Sequence, residues 1–539
     1  MEKKENIIIL GITICAFCTV VKTVKKTTFL LIKEDSQMKS YKKLLACGLT
    51  LAMMAGMTAC TDEVEPNPNS GGAAPSTTSG TTAPASSADP NDNAATDEKA
   101  KDIDTSTYTP SGSAGTIKFL SFYSIEADQK GKSQCLIFKS DLYGGDIVTD
   151  TCASGDAYFD RLGSLIASDD SPDVVTKDAF MFPGTVSRGM FTALDDYIDY
   201  TTPLWADMAD IIESYTYQGK HYYYPHRINT SYALNYSKTT IEENNLPDPY
   251  ELYKNGEWTW DAWRNMMLQF CDRDEDNIGM YTTDTTLTPL VATTGTVLID
   301  VRADGNIINN IADPNVTRAM GFYETLNRDG VMYAKQLGDW VSPQTFATNC
   351  DRLLFLAMEP EWSYIAETEQ LQNPTGVDSD IHDTVSEFAF VPWPRDPEAD
   401  QYYQAYDTYG FLIPKGAKNI AGSVDFINLF RVYETDPTVI AQVKQEHIAP
   451  EPITYTEGKY AGERKWQITW GEQEYDLWRE MCDPEKFAFV TEDAFGFNST
   501  FWTEYATMLT SVVYDGESWT QKSSEFSPVI DATIEEYRF

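Results

Sequence analysis

The sequence predicts an α/β protein built as two lobes, and three observations lead to this fold class. The chain has 539 residues, too many for a single hydrophobic core. A strand, a helix and a second strand follow one another between residues 116 and 175, the pattern of a parallel sheet. The stretch Gly219–Lys238 places a Gly turn between aromatic, β-prone runs, and we predict that the chain first crosses between the lobes there.

The composition excludes some classes of partner. The net charge is −41, from 82 acidic and 41 basic residues, and a field of that sign repels phosphate backbones, so we expect no nucleic-acid partner. Most of the 31 Tyr and 12 Trp are expected in the core, because each ring buries a large apolar area. The four His have no metal-ligand spacing with Cys or with one another, so neither a zinc site nor a catalytic site is predicted from them.

Residues 1–60 carry the signals of export. Two lysines precede the apolar run Leu44–Met57, as in a signal peptide, and Met38 is the predicted true start, with 1–37 as an upstream extension. The run ends in Met-Thr-Ala before Cys60, which resembles the lipobox of bacterial lipoproteins. We therefore expect Cys60 to carry palmitate; the alternative is an ordinary signal peptide with a chance Cys.

The folded part is predicted to follow a tether. Residues 61–114 have almost no large apolar side chain, so they cannot bury enough surface to offset the entropy of ordering. We assign lobe 1 to residues 115–232 plus 408–445, and lobe 2 to residues 233–407 plus 446–539.

The first strands of lobe 1 point to one edge of its sheet. A strand Thr116–Ser124, a helix capped by Asp156 and a short strand Val174–Val175 form the predicted βαβ unit. Ligands gather at the carboxyl ends of the strands in such sheets. Tyr123 and Asp178 stand at these ends.

Local signals place further elements in lobe 2 and at a second crossing. These are a helix capped by Thr259, a hairpin over Arg302–Ile308, a helix capped by Asp313, buried strands Leu353–Met358 and Phe388–Val391, and a strand Tyr409–Ile413 leading to a helix at Ile420. Helices and loops with many aromatic residues are expected beyond 446.

Short motifs along the folded part form an ordered set. They are Pro-Asp-Val-Val from Pro172, Leu-Asp-Asp-Tyr-Ile from Leu194, Gly-Lys-His-Tyr-Tyr-Tyr-Pro from Gly219, Leu-Asn-Tyr-Ser-Lys from Leu234, Trp-Thr-Trp-Asp from Trp258, Ala-Met from Ala357, Pro-Trp-Pro from Pro392 and Gly-Phe-Leu-Ile-Pro-Lys-Gly-Ala-Lys-Asn from Gly410. From about 115 to 440 this set resembles the family 1 extracellular solute-binding proteins of ABC importers, the class that contains maltose-binding protein.

The resemblance implies both a fold and a function. The fold is the type II periplasmic-binding-protein fold, in which each lobe is a sheet flanked by helices, three segments cross between the lobes, and the hinge closes on a ligand. The function is capture of a sugar or oligosaccharide, without catalysis, and its delivery to the transmembrane subunits of an ABC importer. The implied protein is a monomer on the extracytoplasmic face of the bacterial cell membrane, held through its lipid anchor.

The resemblance also suggests site residues. Trp362 corresponds by position to the stacking Trp of the family, and Asn229 lies near a crossing position where the maltose binder has an acidic residue. The complete set of expected ligand-binding residues is Tyr123, Asp178, Asn229, Tyr232, Glu361, Trp362, Trp393 and Tyr409.

Two local features allow alternatives. Asp272, Asp274 and Asp276 have the 1, 3, 5 spacing of a calcium loop but lack its terminal Glu, so they are either a calcium site or a solvated acidic turn. Otherwise no cofactor is expected. Five cysteines follow Cys60, and a disulfide between Cys135 and Cys152 is one possible pairing.

Two other functions stay open at this point. The ligand could be a peptide or polyamine instead of a sugar. A secreted glycosidase is the enzyme alternative, because a carboxylate pair is not excluded by counting in a chain with 82 acidic residues.

Overall fold

The computed structural model describes most of the chain after the predicted tether. The described residues are 103–126, 131–230, 232–274, 276–281, 287–302, 304, 306–332, 346, 349–361, 363, 388–449, 470–491 and 497–537. The predicted export signal, Cys60 and residues 61–102 of the tether lie outside them. Among the described residues, every helix is too short or too polar to be a membrane span.

The elements of the first half of the chain alternate between strands and helices. In order they are β1 (Gly115–Ser121), α1 (Lys132–Phe138), β2 (Gly145–Thr151), α2 (Asp156–Ala167), β3 (Val174–Thr176), α3 (Gly184–Ser187), a 3-10 turn (Ala206–Met208), α4 (Ala209–Ser214), β4 (Thr216–Tyr217), β5 (Lys220–His221), β6 (Tyr224–Thr230), β7 (Ala233–Ser237), α5 (Lys238–Glu243), α6 (Pro249–Lys254), α7 (Trp260–Cys271) and β8 (Ile278–Tyr281).

The second half is richer in helices. Its elements are α8 (Thr288–Ala292), β9 (Ile299–Val301), β10 (Ile307–Asn309), α9 (Pro314–Arg328), β11 (Leu353–Met358), β12 (Phe388–Val391), β13 (Tyr403–Leu412), α10 (Ile420–Thr435), α11 (Pro437–Ile448), α12 (Glu472–Met481), β14 (Ala488–Thr491), α13 (Ser499–Val513) and α14 (Trp519–Tyr537).

The first sheet has six strands. Its order is β14-β13-β3-β1-β2, with β6 also paired to β13. β1 runs parallel to both β2 and β3, which confirms the predicted βαβ unit, although β1 ends at Ser121 and not at Ser124. The sequence did not predict α1 and β2 between β1 and α2. β2 is a half-exposed edge strand with two Asp and two Thr among its seven residues, so it lacks a clear apolar pattern.

The second sheet has four strands in the order β12-β7-β11-β8. β7 is antiparallel to β11 and β12, while β11 is parallel to β8. All six residues of β11 are buried, and its bounds and those of β12 match the prediction. The predicted caps Thr259 and Asp313 both accept a backbone N–H through the side chain.

The predicted Gly turn at Gly219 closes a short hairpin. β4 and β5 pair antiparallel around Gln218 and Gly219, which have φ of 51° and 71°. Two successive positive φ angles match the right-handed twist of the strands, and glycine adopts them at little cost. Beyond it, β6 belongs to the first sheet and β7 to the second, so the chain passes between the sheets after Thr230.

Three details differ from the sequence-based expectations. Asp156 is the first residue of α2 and not its cap; Gly155 holds the cap position, and the Asp156 carboxylate accepts a hydrogen bond from Ser499 instead. β13 begins at Tyr403, six residues before the predicted strand. β14 pairs with β13 in the first sheet, although residues 446–539 were assigned to lobe 2. The lobe boundaries themselves remain a prediction.

Residues 104–111, within the predicted tether, contact α10 and Asp436, the residue that follows it. The backbone N–H of Asp104 donates to Asp436 at 2.7 Å. The hydroxyls of Tyr108 and Ser111 both donate to the carboxylate of Asp425, which is only 3% exposed. The folded part therefore includes this segment, because a buried carboxylate is stable only when donors satisfy it.

Candidate functional site

The candidate site begins with two opposed strands of the first sheet. In the antiparallel pairing of β6 and β13, Arg227 lies opposite Tyr409 and Asn229 opposite Asp407, so these side chains share one face. The Asn229 amide donates to the Tyr409 hydroxyl at 3.4 Å. The guanidinium of Arg227 lies over the Tyr409 ring, with Cζ 4.8 Å from the ring centroid.

The second sheet supplies two carboxylates to the same place. Glu359 and Glu361 follow β11, and the last residue of β11, Met358, pairs with Ala233 just beyond β6. The Tyr409 hydroxyl donates to Glu359 Oε2 at 3.3 Å. Nη2 of Arg227 donates to Glu361 Oε2 at 3.0 Å. The site is therefore built from both sheets, and we call these five residues (Arg227, Asn229, Glu359, Glu361 and Tyr409) the junction cluster.

Burial makes the electrostatics of the junction cluster strong. The side chains of Arg227 and Glu361 are 13% and 7% exposed. Burial by itself lowers the pKa of Arg227, but attraction to Glu361 and Glu434 outweighs it and raises that pKa, so the guanidinium stays charged. Nε of Arg227 and Oδ1 of Asn229 are buried and have no hydrogen-bond partner among the described residues. These two atoms are therefore a donor and an acceptor whose hydrogen bonds the described protein atoms leave unmade.

The region beyond residue 446 places aromatic side chains next to Arg227, and the sequence did not predict that they belong to the site. The ring of Trp478, on α12, lies over the guanidinium of Arg227, with Cζ 5.9 Å from the ring centroid. His447 stacks on Trp478 with centroids 5.5 Å apart and contacts Trp470 at 4.8 Å. The available signal was the aromatic content of the tail, but the sequence did not indicate which ring faces the site.

Tyr123 and Asp178 lie together at the carboxyl edge of the first sheet, as predicted. Each stands two residues beyond its strand, β1 or β3, beside the buried ring of Tyr158. The Tyr158 hydroxyl donates to a carbonyl near the end of each strand, Leu120 O in β1 at 3.2 Å and Thr176 O in β3 at 2.8 Å. Burial raises the pKa of Asp178, while its hydrogen bond from the Phe180 N–H opposes that shift.

Lys177 connects this edge to the strands of the junction cluster. Its backbone N–H donates to Gly410 O at 3.1 Å, and its ammonium donates to Asp407 at 3.0 Å. Asp407 is the residue opposite Asn229 on β13. The edge and the junction cluster therefore belong to one continuous surface of the first sheet.

Two predicted site residues, Tyr232 and Trp393, stand apart from these groups. Tyr232 is half-buried against a small apolar cluster of the second sheet. Trp393 is 3% exposed, and its indole packs edge-on against Trp263 at 5.6 Å. Burial of this kind leaves little ring surface for a ligand, so we do not include Trp393 in the proposed site. Trp362 lies outside the described residues.

The structure bears on the metal and disulfide alternatives as well. In the described part of the chain, His, Cys, Asp and Glu form no group of three suited to holding a metal ion. In the acidic loop that contains Asp272, Asp274 and Asp276, the Asp274 carboxylate accepts the N–H of Asp276 at 3.0 Å. Cys135 and Cys152, both described, are not joined by a disulfide.

Comparison with known proteins identifies related sequences and structures. A family model described as bacterial extracellular solute-binding protein matches residues 137–436, more than half of the chain. Among curated proteins, the search finds no match.

Several solved structures share the fold. An ABC substrate-binding protein from Listeria monocytogenes, in complex with cycloalternan, has a TM-score of 0.54 at 12% identity and covers 78% of this chain and 99% of its own. The galacto-N-biose-/lacto-N-biose I-binding protein from Bifidobacterium longum has a TM-score of 0.53 at 11% identity, covering 78% and 97%. UgpB from Mycobacterium tuberculosis, in complex with glycerophosphocholine, has a TM-score of 0.54 at 16% identity, covering 78% and 99%.

These likenesses confirm the predicted α/β fold with two lobes, each a sheet flanked by helices. The matched family and the similar structures are binding proteins and not enzymes. The family description also places such proteins outside the cytoplasm.

Proposed function

Because this chain belongs to the family of bacterial extracellular solute-binding proteins, we propose that it captures a sugar or oligosaccharide between its lobes and delivers it to an ABC importer. The junction cluster carries the proposal. Polar side chains from both sheets converge there, and Arg227 Nε and Asn229 Oδ1 are buried without partners among the described residues.

The chemistry of the junction cluster suits a sugar. A pyranose has a rim of hydroxyls, each of which both donates and accepts, and carboxylates, amides and guanidinium groups match such a rim. Tyr123 and Asp178 at the sheet edge extend the polar surface. Solved relatives of the same fold were crystallised with cycloalternan and with lacto-N-biose, which supports a carbohydrate as the ligand class.

We propose binding without catalysis. A glycosidase needs one carboxyl group held protonated as a general acid. Glu361 is engaged by Arg227 at 3.0 Å, and the matched family consists of binding proteins, which supports binding without catalysis. Incubation with maltotriose or lacto-N-biose should release no new reducing ends, and sustained release would contradict this part of the proposal.

The first experiment is a thermal-shift screen, since a ligand that binds only the folded state raises the melting temperature. The probes are maltotriose, cycloalternan, lacto-N-biose, tagatose, spermidine and glycerophosphocholine. We expect one of the sugars to raise the melting temperature. A response to spermidine or glycerophosphocholine alone would instead favour the non-sugar alternative.

Calorimetry with the sugar that responds then tests the cluster. Asn229→Ala and Tyr409→Phe should each weaken binding about five- to tenfold, the worth of one hydrogen bond. Tyr406→Phe is the matched control: Tyr406 lies on the same strand but on the opposite face, with its hydroxyl 2.8 Å from Ser214. Equal effects of the two Tyr substitutions would refute the assignment.

Trp362 remains the proposed stacking ring, because it follows Glu361 directly. Trp362→Ala should cost about 1–3 kcal/mol of binding free energy, the usual contribution of a buried aromatic anchor. Unchanged affinity in calorimetry would remove Trp362 from the site.

We further propose that the protein is a monomer anchored through lipid on Cys60. Labelled palmitate should be incorporated by the wild type and not by Cys60→Ala. Incorporation that survives the substitution would contradict the anchor. Sedimentation of the lipid-free chain should give a single species with the mass of one chain, below the 60.5 kDa of the full sequence.

No cofactor is part of the proposed function. The Asp272, Asp274 and Asp276 loop is proposed to be a solvated turn, because Asp274 is engaged by a backbone N–H. EDTA or added calcium should leave the melting temperature unchanged. A shift of several degrees with calcium would establish a structural ion.

A further inference from the structure

Three half-buried phenylalanines gather at the carboxyl edge of the first sheet. Phe122 follows β1 directly, Phe159 lies in the first turn of α2, and Phe180 lies four residues beyond β3. The rings of Phe159 and Phe180 have centroids 5.9 Å apart. Phe122 and Phe159 both contact the ring of Tyr158, with centroids at 5.6 Å and 5.7 Å. We call Phe122, Phe159 and Phe180 the edge aromatics.

The edge aromatics rest on a fixed base. Tyr158 is fully buried beneath them, and its hydroxyl is held by backbone carbonyls of both β1 and β3. Because the base is fixed before a ligand arrives, little conformational entropy is lost when a ligand packs on the rings. Contiguous apolar surface that stays accessible in a folded protein marks a binding site more often than scattered rings do.

A carboxyl group lies next to the edge aromatics. The half-buried Asp178 is two residues before Phe180 and accepts its backbone N–H at 3.3 Å. A carboxylate has about four lone-pair positions, so this bond leaves capacity for a further donor. Ring faces beside a hydrogen-bond acceptor match a pyranose, which has an apolar C–H face and a rim of hydroxyls.

The edge aromatics and the junction cluster lie on the same sheet but not at the same place. The strands between them follow the order β6, β13, β3 and β1. From Arg227 on β6 to Phe122 after β1 there are three strand spacings, about 14 Å at about 4.8 Å each. The hydrogen bond from the Lys177 N–H to Gly410 O continues the pairing of β3 and β13 to this edge. A single hexose cannot contact both groups at once.

We infer that the edge aromatics and Asp178 form a second sugar subsite, so that the ligand is an oligosaccharide lying across the strand ends. One sugar ring contacts the junction cluster, and another packs its C–H face on Phe122, Phe159 and Phe180 while a hydroxyl donates to Asp178. The inference rests on the proposed function and narrows its ligand class to oligosaccharides of two or more rings.

The two subsites make affinity depend on chain length. A monosaccharide occupies one subsite at a time, whereas linked rings occupy both, so an oligosaccharide should bind at least about tenfold more tightly than its own monosaccharide. Phe159→Ala and Phe180→Ala should each weaken binding of the oligosaccharide about fivefold to thirtyfold, because each removes apolar contact with the sugar.

Calorimetry on the full chain tests the subsite with two series of probes. The first is glucose, maltose and maltotriose, and the second is galactose and lacto-N-biose. The matched control is Phe322→Ala, which removes a half-buried ring on α9 that packs against Trp260 at 5.1 Å. Phe180→Leu keeps an apolar side chain and is the second variant should Phe180→Ala fail to fold; we expect it to weaken binding about twofold to fivefold. Urea denaturation confirms that each variant is folded.

The result expected is affinity that rises with chain length in one series and falls in the edge variants, with Phe322→Ala like the wild type. Equal affinity for a monosaccharide and its oligosaccharide, or edge variants that bind the oligosaccharide like the wild type, would overturn the second subsite and leave the proposed function standing. Failure of every sugar in both series to bind would count against the proposed function and the subsite together.

Discussion

Removal of the Glu361 carboxylate should destabilise the protein strongly. In Glu361→Ala the guanidinium of Arg227 loses the acceptor of its 3.0 Å hydrogen bond while it stays buried next to the Tyr409 and Trp478 rings. A buried charge left without its partner is costly, whereas the loss of an exposed pair is not.

The magnitude can be worked from the geometry. Two unit charges 3.0 Å apart attract by about 5–6 kcal/mol at an effective dielectric constant of about 20. Glu434 also attracts Arg227, so in Glu361→Ala the positive charge of Arg227 is still partly compensated. Since breaking a buried pair costs about 3–5 kcal/mol, we expect a loss of about 3 kcal/mol of unfolding free energy.

Urea denaturation followed by tryptophan fluorescence measures this loss. The control is Asp170→Ala, which breaks the Lys118–Asp170 pair, whose side chains are 50% and 61% exposed; it should cost less than about 1 kcal/mol. The double substitution Arg227→Met with Glu361→Leu should cost less than Glu361→Ala alone, because it leaves no unpaired charge. A loss in Glu361→Ala no larger than that in Asp170→Ala would refute the reasoning.

Three further predictions concern stability. Deletion of residues 103–114 should lower the free energy of unfolding by about 2–4 kcal/mol, because the buried carboxylate of Asp425 loses both of its hydroxyl donors. Urea denaturation measures this loss, and an unchanged midpoint would contradict the contact between this segment and α10. Burial raises the pKa of the Asp178 carboxyl above 3.8, so the folded state binds a proton more tightly than the unfolded state, and the free energy of unfolding falls as the pH rises above 3.8. Asp178→Asn should therefore stabilise the protein near pH 7 but not below pH 3.8. An equal effect at both pH values would be inconsistent with the raised pKa. Gly410→Ala should destabilise the protein by about 1–3 kcal/mol, because the added Cβ would lie 2.7 Å from a ring atom of Tyr223. The control is Gly163→Ala in α2, where an added Cβ would have no atom within 4 Å, so this change should be neutral or stabilising. Thermal melting measures both effects.

Much of the fold could be predicted because its signals are local. β11 and β12 are runs of apolar residues whose ends are marked by polar residues or Pro, and their bounds agree with the prediction. The helices capped by Thr259 and Asp313 begin where a side-chain oxygen can accept the first free N–H groups. The edge strand β2 was not predicted because about half of its surface faces solvent and its residues show no apolar pattern.

The candidate site was harder to predict because its members come from distant parts of the chain. Asn229, Tyr409 and Glu361 were all expected, and the structure brings them together. Arg227 was missed, although its place two residues before Asn229 in a strand puts both on one face. Trp393 was expected from its motif, but the packing of the second sheet encloses it.

The sequence by itself determined the family, the order of the elements and the polar residues that end the strands, because these depend on neighbours within a few positions. Only the tertiary structure decided which of these residues meet. Arg227 and Glu361 are 134 residues apart in the chain, and their pairing depends on the passage from β6 to β7 and on the register of β7 with β11. The placement of Trp478 depends in the same way on how the C-terminal helices pack, because side-chain contacts between distant segments are set by the whole fold and not by local spacing.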